Sequence, residues 1–111
     1  MPHCINEYSV DLKKDLDRLM AAVHDGVLES GLFKPEDVKT RALAFDHWVS
    51  SEGDQQFLHV TARLFAGRSP EEKQALSRSI LNLLEQLAIK NISITVEMVD
   101  IDTDSYSKRV T

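Results

Sequence analysis

The chain has 111 residues, 42% hydrophobic and 28% charged, with a formal charge of −5 from 13 basic and 18 acidic side chains. That length implies one domain, residues 1–111, with a core of its own, and the acidic balance excludes broad nucleic-acid binding, which needs a basic face to displace counterions. No apolar run approaches the ~20 residues needed to cross a bilayer, no basic-then-apolar leader opens the chain, and the single cysteine, Cys4, forms no internal disulfide; a cytoplasmic protein without a membrane partner is expected.

Residues 3–8 are a short strand candidate directly behind the start. Over residues 11–30, Leu12, Leu16, Leu19, Met20, Val23 and Val27 recur at helical spacing, with Lys13, Lys14, Asp17, Arg18 and Asp25 on the other side, so an amphipathic helix is expected, closed by Gly31. Residues 38–48, rich in β-branched and aromatic side chains, read as a second strand, and residues 51–54 as a polar turn. Residues 57–65 alternate, with Leu58, Val60, Ala62 and Leu64 to one side and His59, Thr61 and Arg63 to the other, the pattern of a half-buried strand. Ser69, Pro70 and Glu72 then mark a helix start with a capping box, and Leu76, Ile80, Leu83, Leu84 and Leu87 carry an apolar stripe to about Lys90. Residues 92–99 alternate again through Ile92, Ile94, Val96 and Met98, before a polar tail broken only by Ile101, Tyr106 and Val110.

The order is thus β-α-β twice. Helical crossovers make the strands within each half parallel, and right-handed connections put both helices on one face of a four-stranded sheet, a two-layer α+β unit whose other face is left to a ligand or another subunit. Many unrelated proteins share this order, so the fold alone does not choose a function.

Pro2 carries more chemical information than any other residue. Aminopeptidases remove an initiator methionine in front of a small second residue, and removal of Met1 turns the nitrogen of Pro2 into a free secondary amine, a possible base or nucleophile; Pro35 and Pro70 are amide-bonded and inert. Many chains begin Met-Pro without using that amine, so position alone does not establish catalysis. No Gly-rich phosphate loop and no Ser-His-Asp pattern is present, and His59 has no ligand spacing to His47 or His24, so no metal site is expected.

The run Pro2, His3, Cys4, Ile5, Asn6, Glu7, Tyr8 resembles the opening of the 5-carboxymethyl-2-hydroxymuconate isomerases of the tautomerase superfamily, whose chains begin Pro-His-hydrophobic-Ile-x-Glu after the initiator methionine. The resemblance continues through Gly31-Leu32-Phe33 at the end of the first helix, Lys39-Thr40-Arg41 in the second strand, Asp46 and Trp48 in the bend, and the third strand running into Ala66-Gly67-Arg68-Ser69. It covers nearly the whole chain. Departures are the short segment between Trp48 and Phe57, the polar Cys4 and Asn6, and a loosely matching tail from Asp102. They leave the substrate's identity open.

The resemblance implies the tautomerase fold, a homotrimer packed through its open sheet faces, no cofactor, and an anionic small-molecule substrate. It implies that Pro2 is the catalytic base of an isomerase converting the enol of an unsaturated 2-hydroxy di- or tricarboxylate, such as 5-carboxymethyl-2-hydroxymuconate, to its keto form. Arg41 and Arg68 then stand beside the proline as catalytic and substrate-binding groups, depressing its pKa and gripping carboxylates, while Ser69 at the mouth of the second helix favours an anion. An α-amino group titrates near ~8 and a secondary amine higher, so a base working at neutral pH needs that depression. By alternation His3 points away from Pro2 and Glu7 has the wrong parity to join it; both are read as structural, His3 alternatively as a subunit contact, and Ser69 alternatively as a simple helix cap. Phe45 and Trp48 are read as core or interface, with an aromatic wall near the proline as the other option. Two rival functions remain open at this level: a non-catalytic small-ligand-binding or interaction module of the same fold, and a hydrating or dehalogenating relative, which requires an extra acid that the sequence does not identify.

Overall fold

The computed structural model describes residues 1–111. Strand β1 (His3–Ser9) leads through a 3-10 turn (Val10–Asp15) into helix α1 (Leu16–Glu29). Strand β2 (Lys39–Phe45) follows, then β3 (Gln56–Phe65), helix α2 (Pro70–Glu85) and β4 (Ile92–Ile101). The sheet order is β2-β1-β3-β4. β1 and β2 are parallel, β3 and β4 are parallel, and the two halves meet antiparallel across β1 and β3, as two consecutive β-α-β units require.

Alternation along the strands divides the sheet into two faces. Cys4 and Tyr8 of β1 and Leu58, Val60, Ala62 and Leu64 of β3 are buried with Leu19, Val23 and Val27 of α1 and Leu76, Ile80 and Leu84 of α2. Each of these larger aliphatic side chains contributes on the order of 1.5–3 kcal/mol by leaving water. Ile92, Ile94, Val96 and Met98 also pack onto this core, so the apolar stripe of β4 serves the helix layer. The opposite face is uncovered and mixed: His3, Ile5, Glu7, Arg41, Leu43, His59, Thr61 and Arg63 share it.

The helices approach so closely that a Cβ on Gly26 would lie 2.8 Å from Ile80 Cα, and Ser79 Oγ donates to the Gly26 carbonyl at 2.8 Å. Gly31 takes φ +70° just past α1, the left-handed stop that the sequence signals. The capping box is present in full: Ser69 Oγ accepts from Glu72 N–H at 3.1 Å, and Ser69 N–H donates to Glu72 Oε1 at 3.1 Å.

Boundaries differ from the periodicity by more than one residue in four places. The first apolar turn, around Leu12, is 3-10 and not α. β2 stops at Phe45 because the chain bends away and Trp48 folds back edge-on against Phe57, ring centroids 5.9 Å apart. α2 ends at Glu85, before Lys90, since Ala88 adopts φ +54° and cannot continue the helix. β4 runs two residues beyond Val99, held by its parallel pairing with Leu64 and Phe65.

Candidate active site

The parallel pairing of β1 with β2 puts the starts of both strands at one end of the sheet, and the antiparallel β3 brings its own C-terminal end there. Pro2 therefore lies beside the entry to β2, and its carbonyl accepts the Lys39 N–H at 3.1 Å. Its side chain is fully buried on the helix side of the sheet, with the parity of Cys4 and Asn6. Its nitrogen is amide-bonded to Met1, whose own amine is held below the usual amino-terminal pKa mainly by burial. Asp37 opposes that effect, while Lys108 and Lys39 add to it. Asp37 and Lys108 themselves pair at 3.6 Å, which ties the C-terminal tail to the start of β2.

Arg41 sits opposite Ile5 and so projects from the uncovered face. Its backbone is fixed by the buried Asn6, whose Nδ2 donates to the Arg41 carbonyl at 3.1 Å. Its guanidinium Nη1 donates to His3 Nδ1 at 3.2 Å. Arg68 follows β3 at the same end of the sheet but turns toward the α1–β2 loop. There Nη2 donates to the Leu32 carbonyl at 3.1 Å, the guanidinium carbon stands 4.7 Å above the Phe33 ring, and Nη1 lies 3.7 Å from Glu72. Pro2, Arg41 and Arg68 thus share one end of the molecule, with the two guanidinium groups committed to different elements. Ser69 stands next to Arg68 as the helix cap.

The electrostatic pattern adds residues that the sequence reading left aside. The cations acting on the first residue's amine are Lys39 and Lys108; Arg41 acts on His3. Burial, then Arg41, the amino terminus, Lys39 and Arg63, hold the His3 pKa below the ordinary histidine value, so this imidazole is neutral at neutral pH. His3 Nε2 meets the Tyr106 hydroxyl at 3.1 Å, and that hydroxyl donates to Met1 Sδ at 3.0 Å. Tyr106 is braced by Phe65, ring centroids 5.1 Å apart in an edge geometry. Nothing in the polar tail marks Tyr106 apart from its aromaticity, because its hydrogen-bond partners, His3 and Met1, stand at the opposite end of the sequence. Cys4 is a core thiol whose pKa burial pushes up to about 11, against a smaller opposite effect of Arg41.

The aromatic residues read from the bend lie elsewhere. Phe45 and Trp48 both pack on Phe57, which is level with Ser9 at the far end of the sheet from Pro2, so they form no wall at the proline within one chain. His59 spends its ring on Thr95 Oγ1 at 2.6 Å and Glu97 Oε1 at 3.2 Å. No group of three or more His, Cys, Asp or Glu side chains is arranged to hold a metal ion. A groove of about 760 Å³ at the far end, lined by Asp15, Arg18, Gln56 and Asn91 among others, is separate from all the predicted site residues.

Comparison with known proteins agrees with this fold. The family model described as 5-carboxymethyl-2-hydroxymuconate isomerase matches residues 2–110. A 5-carboxymethyl-2-hydroxymuconate Delta-isomerase from Escherichia coli is 29% identical over 89 residues, covering 77% of this chain and 71% of the relative. The crystal structure of a 5-carboxymethyl-2-hydroxymuconate isomerase from Deinococcus radiodurans R1 superposes with a TM-score of 0.83 at 20% identity, over 99% of this chain and 90% of its own. A structure described as the Q0 fused 4-OT wild type symmetric trimer gives a TM-score of 0.73 at 21% identity, over 96% and 90% of the two chains. The fold is therefore the tautomerase fold.

Proposed function

Because this chain belongs to the 5-carboxymethyl-2-hydroxymuconate isomerase family and is an isomerase by that membership, we propose that it converts the enol of an unsaturated 2-hydroxy di- or tricarboxylate to its keto form, with the amine of Pro2 as base. The observation that carries this reading is the family match across residues 2–110, a span that includes Pro2, Arg41, Arg68 and Ser69. The first substrate to try is 5-carboxymethyl-2-hydroxymuconate, an intermediate class expected in aromatic-acid breakdown.

In this mechanism Met1 is removed and Pro2 becomes the terminal amine. The neutral amine takes the proton of the enol hydroxyl, leaving a conjugated dienolate, and returns it to a carbon of the conjugated system, so the double bonds shift and a ketone forms. Proton, charge and amine are all restored at the end of the cycle. A secondary amine in water is protonated at neutral pH and cannot act as a base. The burial of Pro2 supports a lowered pKa there, in the direction the chemistry requires, with Lys108 and Lys39 adding to it against the larger opposing effect of Asp37. Arg41 and Arg68 grip substrate carboxylates and stabilise the dienolate as its charge develops, for which Arg68 exchanges the Leu32 carbonyl for the ligand. Ser69 and the first N–H groups of α2 add a weaker pull on the same anion. No cofactor enters, since a positioned base and fixed charges suffice.

We further take the assembly to be a homotrimer packed through the uncovered sheet face, where Leu43 and Phe65 are exposed large apolar side chains. The 4-OT trimer of the same fold supports this reading.

The test begins with the intact mass of protein made without an N-terminal tag, followed by the ultraviolet absorbance of 2-hydroxymuconate during ketonisation. A mass lacking Met1, together with a loss of about 100-fold or more in kcat for Pro2→Ala, is expected. Turnover that is indifferent to Pro2→Ala, or that persists with Met1 retained, overturns the proline mechanism.

A further inference from the structure

We infer that His3 is a positioning residue for this isomerisation, holding Arg41 on one ring nitrogen and, through the other, aiming the Tyr106 hydroxyl proton at the space of the Met1 side chain, so that Tyr106 donates to the anionic substrate once Met1 is gone. The inference rests on the Pro2 reading above and extends it to His3, which that reading leaves without a part in the chemistry, and to Tyr106 in the tail.

The argument begins with hydrogen-bond direction. A guanidinium only donates, so His3 Nδ1, 3.2 Å from Arg41 Nη1, is the acceptor and carries no proton. The ring proton of neutral His3 is then on Nε2, which donates to the Tyr106 oxygen at 3.1 Å. With its oxygen engaged as acceptor, Tyr106 turns its own proton outward, and in this structure it falls on Met1 Sδ at 3.0 Å. Thioether sulfur is a weak acceptor, and it belongs to the residue whose removal the proline chemistry demands. The chain Arg41, His3, Tyr106 therefore ends in a donor aimed at space adjoining Pro2.

Position and charge agree with that role. The Phe65 edge contact and the Asp37–Lys108 pair fix the tail that carries Tyr106. The groups facing His3 are Arg41 and Lys39 from β2, Arg63 from β3, the amino terminus, and Tyr106 from the tail, with no carboxylate among them. An imidazolium here would add a cation to Arg41, Lys39 and Arg63 and offer no acceptor to Arg41, so the arrangement holds only with His3 neutral. No proton changes hands: Tyr106 keeps its own while its hydrogen bond strengthens as charge grows on a carboxylate or dienolate oxygen.

Kinetics of protein lacking Met1 test this with His3→Gln, His3→Leu and Tyr106→Phe. Glutamine accepts at Oε1 and donates at Nε2 without titrating, so His3→Gln is expected within about threefold of wild type, and without the loss of kcat/KM that protonation of His3 produces toward acid pH. His3→Leu and Tyr106→Phe are each expected to lose about 10- to 100-fold in kcat, the effect of one hydrogen bond to a charged oxygen, and their combination no more than the worse single change. Wild-type kinetics for His3→Leu and Tyr106→Phe, alongside a dead Pro2→Ala, overturn this inference and leave the proline mechanism standing. An inactive wild type sinks the proline mechanism, and this inference with it. A readout independent of turnover is the nitrogen NMR spectrum of the His3 ring: the Nε2-protonated neutral tautomer is expected at neutral pH, with its Nε2 signal moving in Tyr106→Phe. An Nδ1-protonated ring overturns the arrangement whatever the kinetics show.

Discussion

The residues of the candidate site were unequally visible in the sequence. Pro2 stood out because only one proline directly follows Met1, and its parity with the buried Cys4 and Asn6 was legible from strand alternation. That His3 faces the other way was equally legible; that it joins Arg41 to Tyr106 was not, since this needs the tail folded back over β1. Arg68 shows the converse. Its position followed from the motif, yet its contacts with Leu32, Phe33 and Glu72 depend on how the α1–β2 loop closes. A lysine there keeps the charge but loses the planar fork and the stacking on Phe33. Arg68→Lys is therefore expected to lower kcat/KM for the dicarboxylate by about tenfold or more, with thermal stability falling by less than about 1 kcal/mol because the pair with Glu72 is partly exposed; steady-state kinetics and a melting curve check both.

At the scale of elements, helix starts were easier to read than helix ends or strand ends. The capping box of Ser69 and Glu72 is local chemistry, three residues apart, and it appears in the structure as the sequence signals it. The end of α2 depends on Ala88 entering a left-handed conformation that alanine does not advertise, and the end of β2 on Trp48 reaching Phe57 across a turn. The contact between α1 and α2 was also hidden. Gly26 lies inside a helical pattern, where glycine ordinarily costs about 1 kcal/mol relative to alanine, and its reason is the Ile80 backbone 2.8 Å from where a Cβ would be. Gly26→Ala is expected to destabilise the protein by about 1–3 kcal/mol despite its better helix propensity, because the two helices must separate; chemical denaturation measures it, and a stabilised variant would contradict the close approach.

Across the whole molecule, a chain of net charge −5 gathers His3, Lys39, Arg41 and Arg63 on one end of the uncovered face. Because the His3 pKa is lowered in the folded state, the unfolded chain binds its proton first as pH falls. Stability is therefore expected to decline from the ordinary histidine value downward, until the folded-state pKa is passed, and to be unaffected above it. In His3→Gln that component of the decline should vanish from melting temperatures measured between neutral and mildly acid pH. Light scattering at micromolar concentration is expected to give three times the 12.5 kDa chain mass, and a monomer at that concentration would leave the uncovered face unexplained.

The antiparallel meeting of β1 and β3 gives the molecule an approximate twofold axis through the middle of its sheet, which exchanges β1 with β3, β2 with β4 and α1 with α2. Under that rotation the entrance to β1 maps onto the entrance to β3, and the surroundings of Pro2 map onto the far groove bordered by Gln56 and Asn91. The two places are architectural twins, but they are not chemical equals. Gln56 is preceded by Gln55 through an ordinary peptide bond, so the nitrogen at the second entrance is an amide for as long as the halves stay joined. Of the two like entrances in one polypeptide, only the one at the chain start can present a terminal amine.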